Sequence, residues 1–361
     1  MNGSGVAAAR DAGMGRLLIY GANGFVGRAA VEEARARGWH PIVAGRDGQA
    51  IGRVAREAGL EPKVFALDDP GQVREGLAGV TVVLNMAGPF AFTSRPLVEA
   101  CLEVGAHYVD ITGEMDVLIG MAELGAAARE RGVMLLPAAG LDSVPADCLA
   151  AYLCARLPSA TTVRLGLRYS GPAGLPPGTL KTMIRLAHLP DKVVRGGRPV
   201  EVGGTASGTI DFGDGPVTAV RYQAADTLVV NRTTGVGDVE AYVALPPVAL
   251  AGYLGLRTLR RMLSPRPVRD VLARFVRGGS TADQRRRSST VVWAEARDDA
   301  GGRVAARLHG PEGAVVWTVS TALNAAERGL TGRAVPGLQT AGAAFGPDFV
   351  LLTPGVARVD A

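Results

Sequence analysis

A glycine turn close to the start most constrains this 361-residue chain. Gly21-Ala22-Asn23-Gly24-Phe25-Val26-Gly27 reads G-x-x-G-x-x-G. It lies between a short apolar run, Arg16 to Tyr20, and a segment Phe25 to Arg37 with Val26, Ala29, Ala30 and Ala34 at helical spacing. Gly38 is placed to end that helix. A strand that feeds through such a turn into a helix gathers backbone N–H groups and the positive end of the helix dipole at one point. The glycines permit the tight turn, close approach to a pyrophosphate and close helix–strand packing. A glycine-rich turn without a ligand is the plain alternative.

Beyond the turn the chain alternates. Strands are predicted at Pro41–Ala44, Lys63–Leu67, Val80–Met86, Tyr108–Ile111 and Val133–Pro137, with helices at about 49–59, 70–78, 94–104 and 115–131. This alternation predicts a parallel sheet covered on both faces, an α/β domain of Rossmann type over about 15–150. After about residue 160 the pattern changes. Segments 162–169, 208–213, 216–224, 227–231, 238–244, 288–297, 303–309 and 314–320 read as strands, joined by turns such as Gly213-Asp214-Gly215. They predict a second, α+β domain over 151–329 on a mostly antiparallel sheet. Helices are expected at 145–156, 248–277 and 321–329, and residues 1–14 as a loose tail.

The second strand bears on the choice of nucleotide. A NAD-type site expects Asp or Glu at its end. Here the chain reads Ala44-Gly45-Arg46-Asp47. A guanidinium in that place holds a 2′-phosphate with a bidentate fork, which favours NADP over NAD. A solvated loop arginine is the other reading. Asp68, after the third strand, sits either at the adenine edge or in an ordinary turn. After the fourth strand come Asn85-Met86 and then Ala87-Gly88-Pro89-Phe90. Gly88 allows close approach to a nicotinamide riboside and Pro89 stiffens the loop. Phe90 packs either against the ring or against the core.

Composition narrows the remaining classes. With 47% hydrophobic and 20% charged residues the chain is not largely disordered. Cys101, Cys148 and Cys154 fit neither a disulfide framework nor a zinc spacing, and His40, His107, His188 and His309 are scattered. No metal site is expected, and a reducing cytoplasm fits. Of 39 basic residues only Lys63, Lys181 and Lys192 are lysines, and the net charge is +5. Solvated arginine faces account for this better than a nucleic-acid partner, and none is expected. No apolar run reaches the roughly 20 residues that span a bilayer. Region 248–287 interleaves Arg257, Arg260, Arg261, Arg266, Arg269, Arg274, Arg277 and Arg285–Arg287 with Leu256, Leu259, Met262, Val268, Val271, Leu272 and Phe275. It reads as a helix for an acidic carrier protein or a membrane surface, which would make the location peripheral, or as a core helix with a solvated arginine face. Tyr-x-x-x-Lys, G-x-S-x-G and Walker A patterns do not occur.

Gly21–Gly27, Ala44–Arg46, Asn85–Phe90, His107–Glu114 and Gly140–Asp147 follow one another in order. Together with 235–242 and 336–358 they make the chain resemble the saccharopine dehydrogenase-like NADP-binding family from about residue 15 onward. The resemblance implies an oxidoreductase with NADP(H) as cofactor and a Rossmann domain to which the chain returns over about 330–361. Its members range from imine-reducing, saccharopine-forming enzymes to trans-acting enoyl reductases on carrier-linked intermediates. A homodimer is compatible with it. The pattern departs at Thr93, Ser94 and Arg95, where many relatives carry Tyr-Gly-Glu, so a phenol proton donor is absent.

Hydride transfer asks the protein for orientation and a proton. The candidates follow strand ends. Asp142 and Ser143 are expected at the nicotinamide end, with Ser143 donating a hydrogen bond, and Lys181 is expected to stabilise developing charge or to donate a proton. Glu114 and Asp110 are expected to contact substrate. Plainer readings exist: Asp142-Ser143-Val144-Pro145 as a helix N-cap, Asp110 as a turn holder and Lys181 as a surface lysine. A cleft between the domains is the expected substrate site. The expected function is NADP(H)-dependent reduction of a C=C or C=N bond in a small-molecule or carrier-linked intermediate. An imine-reducing saccharopine-type dehydrogenase and a non-catalytic dinucleotide-binding regulator are the alternatives.

Overall fold

Strand β1 (Leu17–Tyr20) is apolar and buried at all four positions, as a central parallel strand must be. The same holds for β2 (Ile42–Gly45), while β4 (Val82–Asn85) and β5 (His107–Asp110) each end on a polar residue. With β3 (Pro62–Val64), β6 (Met134–Leu136) and the short strand Gly337–Leu338 they form a seven-stranded, wholly parallel sheet. Its order is 337–338, β6, β5, β4, β1, β2, β3. The order reverses between β1 and β4, which makes their carboxyl ends the crevice where ligands bind in open α/β sheets. In this computed structural model residues 15–361 are described, apart from 142, 187, 205, 246–249, 254, 256–264 and 277.

The connecting helices are α1 (Phe25–Ala36), α2 (Gly48–Ala58), α3 (Pro70–Gly76), α4 (Phe90–Val104), α5 (Met115–Ala122) and α6 (Gly125–Glu130). The single helix expected at 115–131 is thus two. The helix Thr318–Leu330 returns to this sheet and packs against α1, β4 and β5. Gly329 makes that contact feasible, because a Cβ there would lie 2.6 Å from a methyl of Val82.

The second unit starts with α7 (Val144–Arg156) and β7 (Thr162–Ser170), then α8 (Pro177–Leu186). Strands β8 (Asp191–Arg195), β9 (Arg198–Val202), β10 (Ser207–Asp211) and β11 (Pro216–Arg221) follow. Next come α9 (Asp226–Thr234), β12 (Asp238–Ala244), α10 (Arg266–Phe275), α11 (Ala282–Arg286), β13 (Ser289–Arg297) and β14 (Arg303–Pro311). Among the described residues its sheet runs β10-β11-β12-β7-β13-β14 and closes on Ala357–Asp360, with the β8–β9 hairpin on β12. Every pairing is antiparallel except β12 with β7. Helix α7 packs on β13 and β14.

Several expectations are corrected. The units divide as Met1–Asp142 with Thr318–Ala344, and Ser143–Trp317 with Phe345–Ala361. The return to the first sheet therefore begins at 318, not 330. The last segment goes to the second unit, because Ala357–Asp360 pairs with β14. Residues 227–231 are helical, not a strand. Their β-branched run suggested pleating, but Asp226, Val229 and Val230 bury one helical face and Gly235, at φ 72°, ends the helix. Residues 314–320 are a π-turn (Gly313–Trp317) leading into helix, because the buried Glu312 carboxylate accepts the N–H groups of Ala314, Val315 and Val316 at 3.0 Å each. The β8–β9 hairpin was missed although Gly196-Gly197, both at positive φ, is a hairpin signal. Of the helix expected at 248–277, Arg266–Phe275 is described as helix; Arg257, Arg260, Arg261, Leu256, Leu259, Met262 and Arg277 lie outside the described residues. No helix among the described residues is long and apolar enough to cross a membrane.

Candidate functional site: the carboxyl edge of the parallel sheet

The glycine turn leaves β1 directly. Gly21 adopts φ +82°, and a Cβ on it would lie 2.8 Å from the Ala87 Cβ in the loop after β4. Gly27 sits so close beneath the turn that a Cβ would lie 2.1 Å from the Gly21 carbonyl oxygen. These two glycines hold helix, strand and neighbouring loop together. Gly24 has a different task. Its N–H donates to the Gly21 carbonyl at 2.9 Å, and it is exposed together with Asn23 and Phe25, whereas Ala22 is buried and Val26 half-buried. Gly24 is also the N-cap of α1. No side chain caps that helix, and its first turn carries no acid. A twelve-residue helix thus begins without a side-chain cap at an exposed glycine, a cradle that suits a phosphate.

At the end of β2, Arg46 is exposed. Its neighbour Asp47 is the N-cap of α2 and accepts the Ala50 N–H at 3.0 Å. The carboxylate that a ribose diol would need is therefore engaged in holding a helix, and the arginine is the group presented. Asp69 likewise caps α3, through the N–H groups of Gly71 (2.8 Å) and Gln72 (3.2 Å), and leaves Asp68 exposed. Tyr20, the last residue of β1, links these groups. Its hydroxyl donates to the Phe65 carbonyl at 3.1 Å. Burial pushes its phenol up to about 12, while the Arg46 charge pulls it down and the Asp68 charge pushes it up.

The loop after β4 is held quite differently. Asn85 Oδ1 accepts the Ala87 N–H at 3.0 Å, and its Nδ2 donates to Thr93 Oγ1 (3.1 Å) and to the Tyr108 hydroxyl (3.0 Å). Thr93 donates to the Ala87 carbonyl at 2.6 Å. Glu114 clamps the far side of the loop: its two oxygens accept the N–H groups of Phe90 (2.8 Å) and Ala91 (3.1 Å). Helix α4 begins behind Pro89 without a capping side chain of its own, so this distant carboxylate serves as its cap. Gly88 is exposed, and the half-buried Phe90 packs on the core of the sheet.

Asp110 is fully buried. It accepts the N–H groups of Thr112 and Ala138 (2.9 Å each), the Tyr108 hydroxyl (2.8 Å) and the Ser94 hydroxyl (3.2 Å). Burial raises its carboxyl above the ordinary range, against the pull of these four donors. Burial, with Asp110 close by, also drives Tyr108 far up. Ala138, held by Asp110, has φ +58°, the one non-glycine residue at positive φ among the described residues. Neither Asp110 nor Glu114 offers a free carboxylate to a substrate; both hold backbone. The Thr93-Ser94-Arg95 stretch is similarly absorbed, with Arg95 paired to Glu99 at 2.8 Å. Sequence reasoning missed Asn85, Thr93, Tyr108 and Ser94. Asn85 and Asp110, each ending an otherwise apolar strand, were the available signal.

Ser143, Asp147 and Lys181 lie in the second unit. Asp142 lies outside the described residues. Ser143 occupies the N-cap position of α7 but makes no side-chain cap; its hydroxyl donates to Asp226 at 3.4 Å, and both residues are buried. Asp147 is buried and accepts a hydrogen bond from Thr233. Lys181 stands exposed in the middle of α8. Among the described residues no cluster of His, Cys, Asp and Glu could hold a metal.

Comparison with known proteins bears on this geometry. Residues 17–136 match the saccharopine dehydrogenase NADP binding domain family. A human saccharopine dehydrogenase-like oxidoreductase is 32% identical over 192 residues, 46% of this chain and 45% of that protein. A putative trans-acting enoyl reductase of Mycobacterium tuberculosis is 33% identical over 139 residues, 36% of this chain and 33% of the relative. The chain thus spans less than half the length of these curated relatives. Among solved structures, apo saccharopine dehydrogenase (L-Glu forming) from Saccharomyces cerevisiae superposes with a TM-score of 0.61 at 13% identity, over 96% of this chain and 100% of that one. That likeness carries the fold. The turn and the parallel sheet agree with the match of residues 17–136 to the saccharopine dehydrogenase NADP binding domain family.

Proposed function

We propose that this chain is a cytoplasmic NADP(H)-dependent reductase acting on a C=C or C=N bond of a small-molecule or carrier-linked intermediate. One observation carries the cofactor: a helix N-terminus free of side-chain caps at Gly24, next to an exposed Arg46 whose neighbouring carboxylate is taken up by α2. The family match and the relatives' names, an oxidoreductase and an enoyl reductase, support the reductase.

When bound, the cofactor supplies hydride from its nicotinamide. The chain's part is to bind and to orient. The first N–H groups of α1 take the pyrophosphate, and Arg46 takes the 2′-phosphate as a charge-assisted fork. Glu114 and Asn85 fix the loop from Ala87 to Phe90, so that Gly88 presents bare backbone to the nicotinamide end. Asp110 and Glu114 already hold backbone, and we assign the stabilisation of developing charge to Lys181. Lys181→Ala should lower kcat and leave NADPH affinity unchanged.

The absorption of Thr93, Ser94 and Arg95 into structural hydrogen bonds favours a second reading, a dinucleotide-binding regulator without turnover. NADPH oxidation separates the two. It should be followed with enoyl thioesters and, separately, with a 2-oxo acid plus an amine. Turnover with the first supports the C=C reaction and with the second the C=N reaction. NADPH binding with no turnover on either class favours the regulator.

A further inference from the structure

In the second unit α8 and α10 pack against each other. On α10, Val268, Val271, Leu272 and Phe275 recur at i, i+3, i+4 and i+7, the spacing of an apolar stripe that a globular helix normally turns to its core. Here the stripe faces outward: Phe275 is 79% exposed, Val271 49%, Val268 39% and Leu272 37%. Helix α8 adds Leu180 at 37% and Met183 at 39%. Single exposed apolar side chains are ordinary, but six on two packed helices make a patch, and such patches mark contact surfaces.

The charge is equally uneven. Helix α8 carries Lys181 and Arg185 and no acid, and α10 carries Arg266, Arg269 and Arg274 against Asp270. Five basic residues less one acidic give +4 on these two helices, against +5 for the whole chain. At 100° per residue, Arg269 and Arg274 fall on opposite flanks of the α10 stripe, each roughly 110° from its centre. Arg274 is exposed, and an arginine in that position lays its aliphatic stem along an apolar surface and reaches outward with the guanidinium.

We propose that the face formed by Leu180, Met183, Val268, Val271, Leu272 and Phe275 docks on an anionic lipid surface. The apolar side chains enter the boundary between headgroups and acyl chains, and the flanking arginines meet lipid phosphate. Charge alone would also suit an acidic protein. The large side chains, however, protrude from the convex surface of a helix, and a fluid lipid interface yields to that shape.

The test uses the full chain and sedimentation with phosphatidylcholine vesicles, with and without phosphatidylglycerol. Wild type should favour the anionic vesicles by about tenfold or more, and added salt should weaken the binding. The double substitution Val271→Ser with Phe275→Ser should lower binding to anionic vesicles about tenfold. Arg274→Glu should lower it by a similar factor and leave the weak binding to neutral vesicles unchanged. The changed side chains are exposed, so thermal unfolding and NADPH affinity should match wild type; Arg274→Glu, which leaves the stripe intact, decides the matter if the double variant unfolds early. Wild type that stays in the supernatant with anionic vesicles overturns the proposal. So does equal binding by the variants, or a wild-type dimer that the double substitution dissociates with no retention on lipid, or capture by an acidic carrier protein in place of lipid.

Discussion

At the carboxyl ends of β1 and β4 two loops meet that are built in opposite ways. The glycine turn after β1 opens α1 with no side-chain cap and no acid in its first turn. In the loop after β4 the N–H groups of Ala87, Phe90 and Ala91 all donate to side chains, from Asn85 and Glu114. The difference is instructive. At the turn no side chain caps the helix. Where a loop must keep its shape by itself, buried amide and carboxylate groups fix it. The two loops touch at Gly21 and Ala87, so the rigid one also positions the open one.

Single substitutions sharpen this contrast, and the largest effect is expected at Gly27. Gly27→Ala places a methyl 2.1 Å from the Gly21 carbonyl oxygen and should destabilise the first unit by about 3 kcal/mol in urea unfolding, with NADPH binding lost. Gly24→Ala meets the same oxygen at 3.2 Å with φ already negative, so stability should change by less than about 1 kcal/mol. Equal destabilisation by the two would erase the distinction between a packing glycine and a ligand-facing one.

Next in size is the rigid loop. Glu114→Gln turns one acceptor of the clamp into a donor that faces an N–H group, and should destabilise by about 2 kcal/mol. It should weaken NADPH yet leave 2′,5′-ADP, which lacks the nicotinamide half, bound as before. Calorimetry with both ligands reads this; equal loss for both would mean that Glu114 supports the whole domain and not one loop. Asp47→Ala removes the α2 cap, at about 1 kcal/mol of stability by thermal melting. Its preference between NADPH and NADH should stay as in wild type, since that carboxylate serves the helix.

The smallest effect concerns pH. Burial lowers the pKa of His107, whose Nδ1 accepts the Met134 N–H at 3.1 Å. A buried base with a lowered folded-state pKa contributes stability that is complete above the unfolded value, about 6.5, and is lost as pH falls through it. Urea unfolding of wild type from about pH 8 to about pH 5 should show this decline, and His107→Asn should flatten it. A decline of the same size in that variant would place the titrating group elsewhere.

The glycine turn was legible in the sequence because its geometry belongs to the backbone. Three glycines at fixed spacing between an apolar run and a helical one specify where N–H groups gather, and Arg46 follows by position. The rigid loop was not legible, because its hydrogen bonds join residues distant in sequence. Asn85 and Asp110 stand side by side in the register of β4 and β5, 25 positions apart. Glu114 looked like a substrate ligand because a conspicuous acid after a strand resembles one. The informative cue was the start of α4, where Pro89-Phe90 offers no Ser, Thr, Asp or Asn, so an acceptor had to come from elsewhere. In the second unit, runs of β-branched residues at 227–231 and 314–320 imitated strands. Tertiary contacts decided there, one through a buried helical face and one through Glu312.

The central claim is that the open loop and Arg46 together receive NADP(H). Its most direct test is calorimetric titration of wild type and Arg46→Ala with NADPH and with NADH. Wild type should prefer NADPH, and Arg46→Ala should lose roughly tenfold to a hundredfold in NADPH affinity while NADH binds as before, the contribution of one charge-assisted contact to a phosphate. Equal loss for both nucleotides, or no binding of either by wild type, would contradict the account.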